Sequence, residues 1–121
     1  MTNLVENFTY LLRLDASKNE IKELEIFKSS EKLQFLQVLN LNTNKVKELT
    51  EMNLSSLTDL NLDSNLIDNA RSFTGLPKIL TLKLRQNKLK TCEGLSKMPK
   101  LHTLHLVINT FYIRLKMPLH Q

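Results

Sequence analysis

At 121 residues, with 24% charged and 41% hydrophobic residues, the chain is long enough for one domain and too apolar to remain disordered. No run approaches the ~18 apolar residues of a membrane helix, and the start Met1-Thr2-Asn3-Leu4-Val5-Glu6-Asn7 lacks the basic and apolar regions of a secretory signal. The single cysteine, Cys92, excludes an intramolecular disulfide framework, and with no secretory signal the expected location is cytoplasmic.

In chain order, residues 1–10 precede any repeating pattern and are expected to form a partial N-terminal cap or incomplete repeat, with Leu4, Val5 and Phe8 covering the first core positions. From Leu11 a frame begins, L-x-x-L-x-L-x-x-N-x-L, and it returns at Leu36, Leu57, Ile79 and Leu101. Its asparagines are Asn19, Asn44, Asn65, Asn87 and Asn109, separated by 25, 21, 22 and 22 residues. The residue two after each is apolar: Ile21, Val46, Ile67, Leu89 and Phe111. A fixed period in the twenties with this frame marks a leucine-rich repeat solenoid. The expected fold is α/β, a horseshoe of five repeats over residues 11–111 with a parallel β-sheet on the concave face. Residues 112–121 are expected to be an irregular tail.

The alternation within x-L-x-L-x predicts a short strand whose leucines all face one side. Beyond it the chain must turn away from the sheet, where an Asn amide can satisfy both a donor and an acceptor of the backbone. The five asparagines are therefore read as a structural ladder. On the return path, Leu24, Leu49, Ala70 and Cys92 form one core column, and Phe27, Met52, Phe73 and Leu95 a second. Phe8, Leu33, Leu54, Leu76 and Met98 precede the strands as a third. Three-residue spacing predicts short helices or 3₁₀ turns on the convex face, with Gly75-Leu76-Pro77 and Met98-Pro99 as helix exits. Cys92 is read as a buried thiol, and the extra residues of the first repeat, Glu25 to Lys32, as an exposed outer loop. The frame decays after Phe111, through Arg114 and Lys116, which reads as a fragment or short isoform of a longer solenoid or as a chain completed by neighbours.

Charge divides unevenly. Residues 1–60 carry 7 Lys/Arg against 9 Asp/Glu, whereas residues 61–121 carry 10 against 3. A basic half invites nucleic acid, but only Phe73, Phe111 and Tyr112 accompany it as aromatics and Phe73 belongs to the core, so nucleic acid is disfavoured. The outward strand positions line the concave face. The central column reads Asp15, Asn40, Asn61, Lys83 and His105, the next Ser17, Asn42, Asp63, Arg85 and Val107, and the preceding one Arg13, Val38, Asp59, Thr81 and Thr103. Asp15, Asn40, Asn61, Asp63, Lys83, Arg85 and His105 are the expected contact row for a protein partner.

No chemistry-bearing motif competes with that reading. There is no phosphate-binding glycine loop, only Gly75 and Gly94 being present, and no metal motif; His102 and His105 lie three apart on a strand and project differently. Asp59 and Asp63 lack further ligands for a cation. The expectation is a non-enzymatic chain with no cofactor, metal or small-molecule substrate.

The run Cys92-Glu93-Gly94-Leu95-Ser96-Lys97-Met98-Pro99-Lys100-Leu101, within the repeats from Leu57 to Phe111, resembles the SDS22-like subfamily of leucine-rich repeat proteins. That subfamily includes a protein phosphatase regulatory subunit, an axonemal dynein light chain and a U2 ribonucleoprotein component. Within it, the runs Tyr10 to Asn19 and Leu76 to Leu84 look like those of axonemal, radial-spoke members. The resemblance implies an interaction scaffold among cytoskeletal proteins of a cilium or flagellum axoneme. Its alternatives are a regulatory subunit docking a catalytic enzyme such as a phosphatase, and a ribonucleoprotein scaffold.

Overall fold

The computed structural model describes residues 9–28 and 33–106. Five three-residue strands form one parallel sheet in sequence order: β1 Arg13–Asp15, β2 Val38–Asn40, β3 Asp59–Asn61, β4 Thr81–Lys83 and β5 Thr103–His105. The register is strict, with Leu14, Leu39, Leu60, Leu82 and Leu104 opposite one another. One strand per period with the same register each time is the solenoid expected of the frame. Residues flanking each strand extend the ladder. Ala16 N–H donates to Asn40 O at 2.8 Å, Leu41 to Asn61 O at 2.8 Å, Leu62 to Lys83 O at 2.8 Å and Leu84 to His105 O at 2.8 Å.

The inward side chains merge into a single core. Phe27, Met52, Phe73 and Leu95 are buried, as are Leu33, Leu54, Leu76 and Met98 before the strands. Each repeat adds too little apolar area to fold by itself, so burial depends on the stack.

The chain leaves each of β1 to β4 through a residue in the left-handed region: Lys18 at φ 58°, and Thr43, Ser64 and Gln86 at φ 57°. The next residue is the repeated Asn. Asn44, Asn65 and Asn87 are buried, and each Nδ2 donates to two carbonyls at the strand ends. For Asn65 these are Leu41 O and Leu62 O, both at 3.1 Å, while its Oδ1 accepts the Val46 N–H at 3.1 Å. Asn19 differs: it faces water and donates to Ala16 O and Ser17 O, both at 3.0 Å. Asn109, Phe111, Val107, Phe8 and the tail 112–121 lie outside the described residues.

A β-branched residue in the left-handed region is strained. Replacing exposed Thr43 by Asn, which tolerates that conformation, is expected to stabilise the chain by about 0.5–1 kcal/mol, read as a higher urea midpoint.

The convex side meets expectation in part. Among the described residues, α1 (Glu25–Lys28) is the α-helix and Leu95–Lys97 a 3₁₀ turn, while the repeats between them return in turns and extended chain. There the descending segments pair with each other: Lys45 N–H to Ile21 O, Leu66 to Val46 O and Lys88 to Ile67 O, each at 2.8 Å, with a parallel bridge between Glu48 and Asn69. Repeats of 21 and 22 residues are short enough for direct lateral pairing to satisfy the backbone without a helix. The 25-residue first repeat has room for one, so the segment read as an outer loop begins with α1, whose Phe27 is in the core. Residues 29–32 are outside the description.

Met98 does close a 3₁₀ turn. Gly75 closes no helix. Its φ of 90° and a backbone packed against Met52 O exclude any side chain.

Candidate functional site

The outward face of the sheet carries the polar columns, held in register by the strand pairing: Arg13, Val38, Asp59, Thr81 and Thr103 in one, and Asp15, Asn40, Asn61, Lys83 and His105 in the next. Apart from exposed Arg13, Asp15 and Asp59 these residues are half-buried, lying against their neighbours with their tips accessible.

Most of the central column also serves the turn that follows it. The Asp15 carboxylate accepts the Ser17 N–H at 3.0 Å and the Ser17 hydroxyl at 2.6 Å. These bonds, the hydroxyl first, hold its pKa below the ordinary value. Asn40 Oδ1 accepts the Asn42 N–H at 3.1 Å, and Asn61 Oδ1 accepts the Asp63 N–H at 2.9 Å. Each is an Asx turn, in which a side-chain oxygen two residues back replaces a lost ladder partner.

Lys83 breaks the series, because an ammonium cannot accept a hydrogen bond. The Arg85 N–H that would be orphaned is taken by Asp63 of the preceding repeat at 2.7 Å. The other oxygen of Asp63 accepts from Arg85 Nε at 3.1 Å and Nη2 at 2.8 Å. Those bonds, and the charge of Asp63 after them, raise the guanidinium pKa. Asp63 is largely covered, at 15% side-chain exposure, so its charge is directed at Arg85 rather than at solvent.

The expected contact row is thereby divided. Asp63 and Arg85 form a neutral pair with a structural duty, whereas Lys83 has no side-chain partner among the described residues. Val38, Asn40, Asp59, Asn61, Thr81 and Lys83 line a shallow groove of about 170 Å³ across β2, β3 and β4.

Other features converge on nothing comparable. A larger hollow of about 620 Å³ lies on the flank where the chain descends, but Lys22, Lys45 and Lys47 there are matched by Glu23, Glu25 and Glu48. Tyr10 stacks on Phe35 at 5.5 Å near exposed Leu12, an apolar patch beside β1. Cys92, expected to be buried, is half-buried on the return path of the fourth repeat, and burial raises its thiol pKa. Among the described residues no three His, Cys, Asp or Glu side chains gather as metal ligands, and no helix is long and apolar enough to cross a membrane.

With sheet, core columns and ladder in place, comparison with protein families gives a match to the leucine rich repeat model over residues 55–111. The match covers 57 of the 121 residues, and the fold around it is that of a leucine-rich repeat solenoid. No curated protein and no solved structure matches it. Leucine-rich repeat domains commonly mediate protein–protein interaction, and here the open face carries aligned polar columns on a sheet pinned by buried asparagines.

The division of labour across this face was partly legible beforehand. That an N-x-N or D-x-S pair two residues apart closes an Asx or ST turn can be read from sequence, and so can Lys83 as an exception to it. The recruitment of Asp63 in its place could not be read, since it acts across 22 residues.

Proposed function

We propose that this leucine-rich repeat solenoid is a non-enzymatic scaffold that holds a segment of a partner protein on the open face of its sheet, within a ciliary or flagellar axoneme assembly of the radial-spoke type. The observation that carries the binding surface is Lys83. It is half-buried in the groove across β2–β4, relieved of the turn-closing role of its column and not neutralised by Asp63, which is engaged with Arg85. A side chain that neither packs in the core nor closes a turn is available for an external contact. The axonemal context is supported by the resemblance of Tyr10 to Asn19 and of Leu76 to Leu84 to axonemal repeats.

The experiment is a crosslinking pull-down from ciliated cells, comparing wild type with Lys83→Glu. A double reversal with Arg85 is avoided, since it would break the Asp63 pair and unseat the β4 turn. Spoke or dynein components are expected to be enriched by wild type and reduced at least about tenfold by Lys83→Glu, a loss near 1.4 kcal/mol. A soluble phosphatase or other enzyme captured in the same Lys83-dependent way would replace the axonemal reading with a regulatory subunit. Salt-steep retention of RNA would point to the ribonucleoprotein alternative. Identical capture by both baits would remove the open face from the mechanism.

A further inference from the structure

The open face does more than offer a surface; its hydrogen-bonding valence is one-sided. We infer that Asn40 Nδ2, Asn61 Nδ2 and Lys83 Nζ form a donor row that takes an extended peptide segment laid across the strands, with a single carboxylate seated on Lys83. This rests on the open face being the binding surface.

The orientation of the amides is determined by the chain itself. Asn40 Oδ1 receives the Asn42 N–H and Asn61 Oδ1 the Asp63 N–H, and only an oxygen can accept from a backbone N–H. Each NH₂ group is therefore the free end of its amide, and among the described residues nothing accepts from either. Asn40, Asn61 and Lys83 occupy the same register position on β2, β3 and β4, so the three donors follow one another at about 4.8 Å. From the first to the third is about 10 Å, the length of three residues of extended peptide. An acceptor at one position of the partner and a carboxylate three residues away match Asn40 and Lys83.

Charge selects the same occupant. Lys83 has no anion within ion-pair distance among the described residues, since Asp63 pairs with Arg85. Asp59 lines the other side of the groove and accepts the Thr58 hydroxyl at 2.9 Å, while Asp15 stands at the same register position on β1. The two carboxylates repel an anion placed anywhere but the β4 end, so a segment with one acid at the right position is favoured over a uniformly acidic one.

The test presents the full chain to an array of immobilised heptapeptides of Ser, Asn, Val and Leu carrying one Glu at each position in turn. Matched copies carry Gln or Lys in its place, and others bear only a free or an amidated C-terminus. Selected peptides are then titrated in solution by fluorescence anisotropy. Single-Glu peptides are expected to bind, and to weaken at least about tenfold on Glu→Gln and equally with Lys83→Gln in the protein. Binding of free-C-terminus peptides alone would place a chain-terminal carboxylate on Lys83 instead of a side chain, within the same donor row. Asn61→Asp is the sharper variant, because it keeps the oxygen that accepts the Asp63 N–H and replaces the donor with an anion. It should weaken binding as much as Lys83→Gln with an unchanged melting midpoint. Lys90→Glu, exposed on the descending flank, should bind as wild type does. Failure of every single-Glu and free-terminus peptide, or binding that survives Lys83→Gln and is lost with Lys90→Glu, would overturn the inference. Lys83-dependent capture of a protein in the pull-down alongside such a failure would leave the scaffold reading intact and remove only the donor row.

Discussion

Asn65→Ala is expected to lower stability by about 3 kcal/mol, a large part of the ~5–15 kcal/mol typical of a small domain. The estimate follows from which groups lose every partner. Leu41 O and Leu62 O, bonded to Asn65, are shared with Asn44 and Asn87 respectively, so each keeps one donor after the change. The Val46 N–H has no such substitute; it lies in a fully buried residue and loses its acceptor. An orphaned buried donor costs about 1–3 kcal/mol, and the space left by the amide adds to it. Asn19→Ala provides the comparison, because Asn19 is exposed and water can replace its bonds to Ala16 O and Ser17 O. Its cost should be about 1 kcal/mol or less. Urea denaturation of both variants beside wild type decides the matter: equal midpoints would mean that burial of the ladder is not what makes it stabilising.

Gly75→Ala should be at least as damaging, near 4 kcal/mol, although it adds a single methyl group. Two causes act together. At φ 90° an L side chain is strained whatever surrounds it. A Cβ there would also lie 1.5 Å from Met52 O and 2.6 Å from the Met52 carbonyl carbon, which no rotamer can relieve because the obstacle is backbone. Moving the two segments apart would break the Met52 N–H bond to Thr74 O at 2.9 Å and the Leu54 N–H bond to Gly75 O at 3.2 Å. It would also open the core around Met52 and Phe73, both fully buried. The neighbouring Thr74→Ala, at an exposed site, should stay within about 0.5 kcal/mol. A thermal melt of the pair is sufficient: a Gly75→Ala midpoint within a degree or two of wild type would show that the repeats can separate here at little cost.

Both effects concern the contact between successive repeats, and that is where stability resides in a solenoid. Each repeat touches its neighbours and little else, so a defect at one junction weakens the stack on both sides. The same architecture explains the open face. Its columns are aligned because the strand register repeats without slippage, and they stay aligned because the ladder fastens each turn to the next. Rigidity at Asn44, Asn65 and Asn87 thus serves the placement of Asn40, Asn61 and Lys83 some four residues earlier in each repeat.

Much of this could be read before any coordinates. Leucine alternation placed all five strands, and the outward columns of the described repeats appear in the register expected of them. These are local consequences of side-chain period: a residue between two core leucines on a strand has one side left to face. Return-path residues other than half-buried Cys92 were right in burial, and the expected helical or 3₁₀ conformation is met at Phe27 and Leu95 but not at Met52 and Phe73. Phe27, Met52 and Phe73 are core, yet of these only Phe27 sits in a helix. Spacing of three apolar residues is satisfied by a 3₁₀ turn or by a winding extended chain alike, and the choice falls to whether the adjacent repeat offers backbone partners.

By itself, then, the sequence determined the repeat, the strand faces and the identity of the core, because each rests on the alternation and period of apolar residues within one repeat. Only the tertiary structure decided that the descending segments pair directly, that Gly75 is held by Met52 O, and that Asp63 closes the turn Lys83 cannot close. Those outcomes join residues 20 to 24 positions apart, where the partner is supplied by the stacking of repeats rather than by the neighbouring chain. Lys83 stands at the junction of the two. Its type is written in the sequence, but its lack of an ion-pair partner among the described residues follows from the commitment of Asp63 to Arg85.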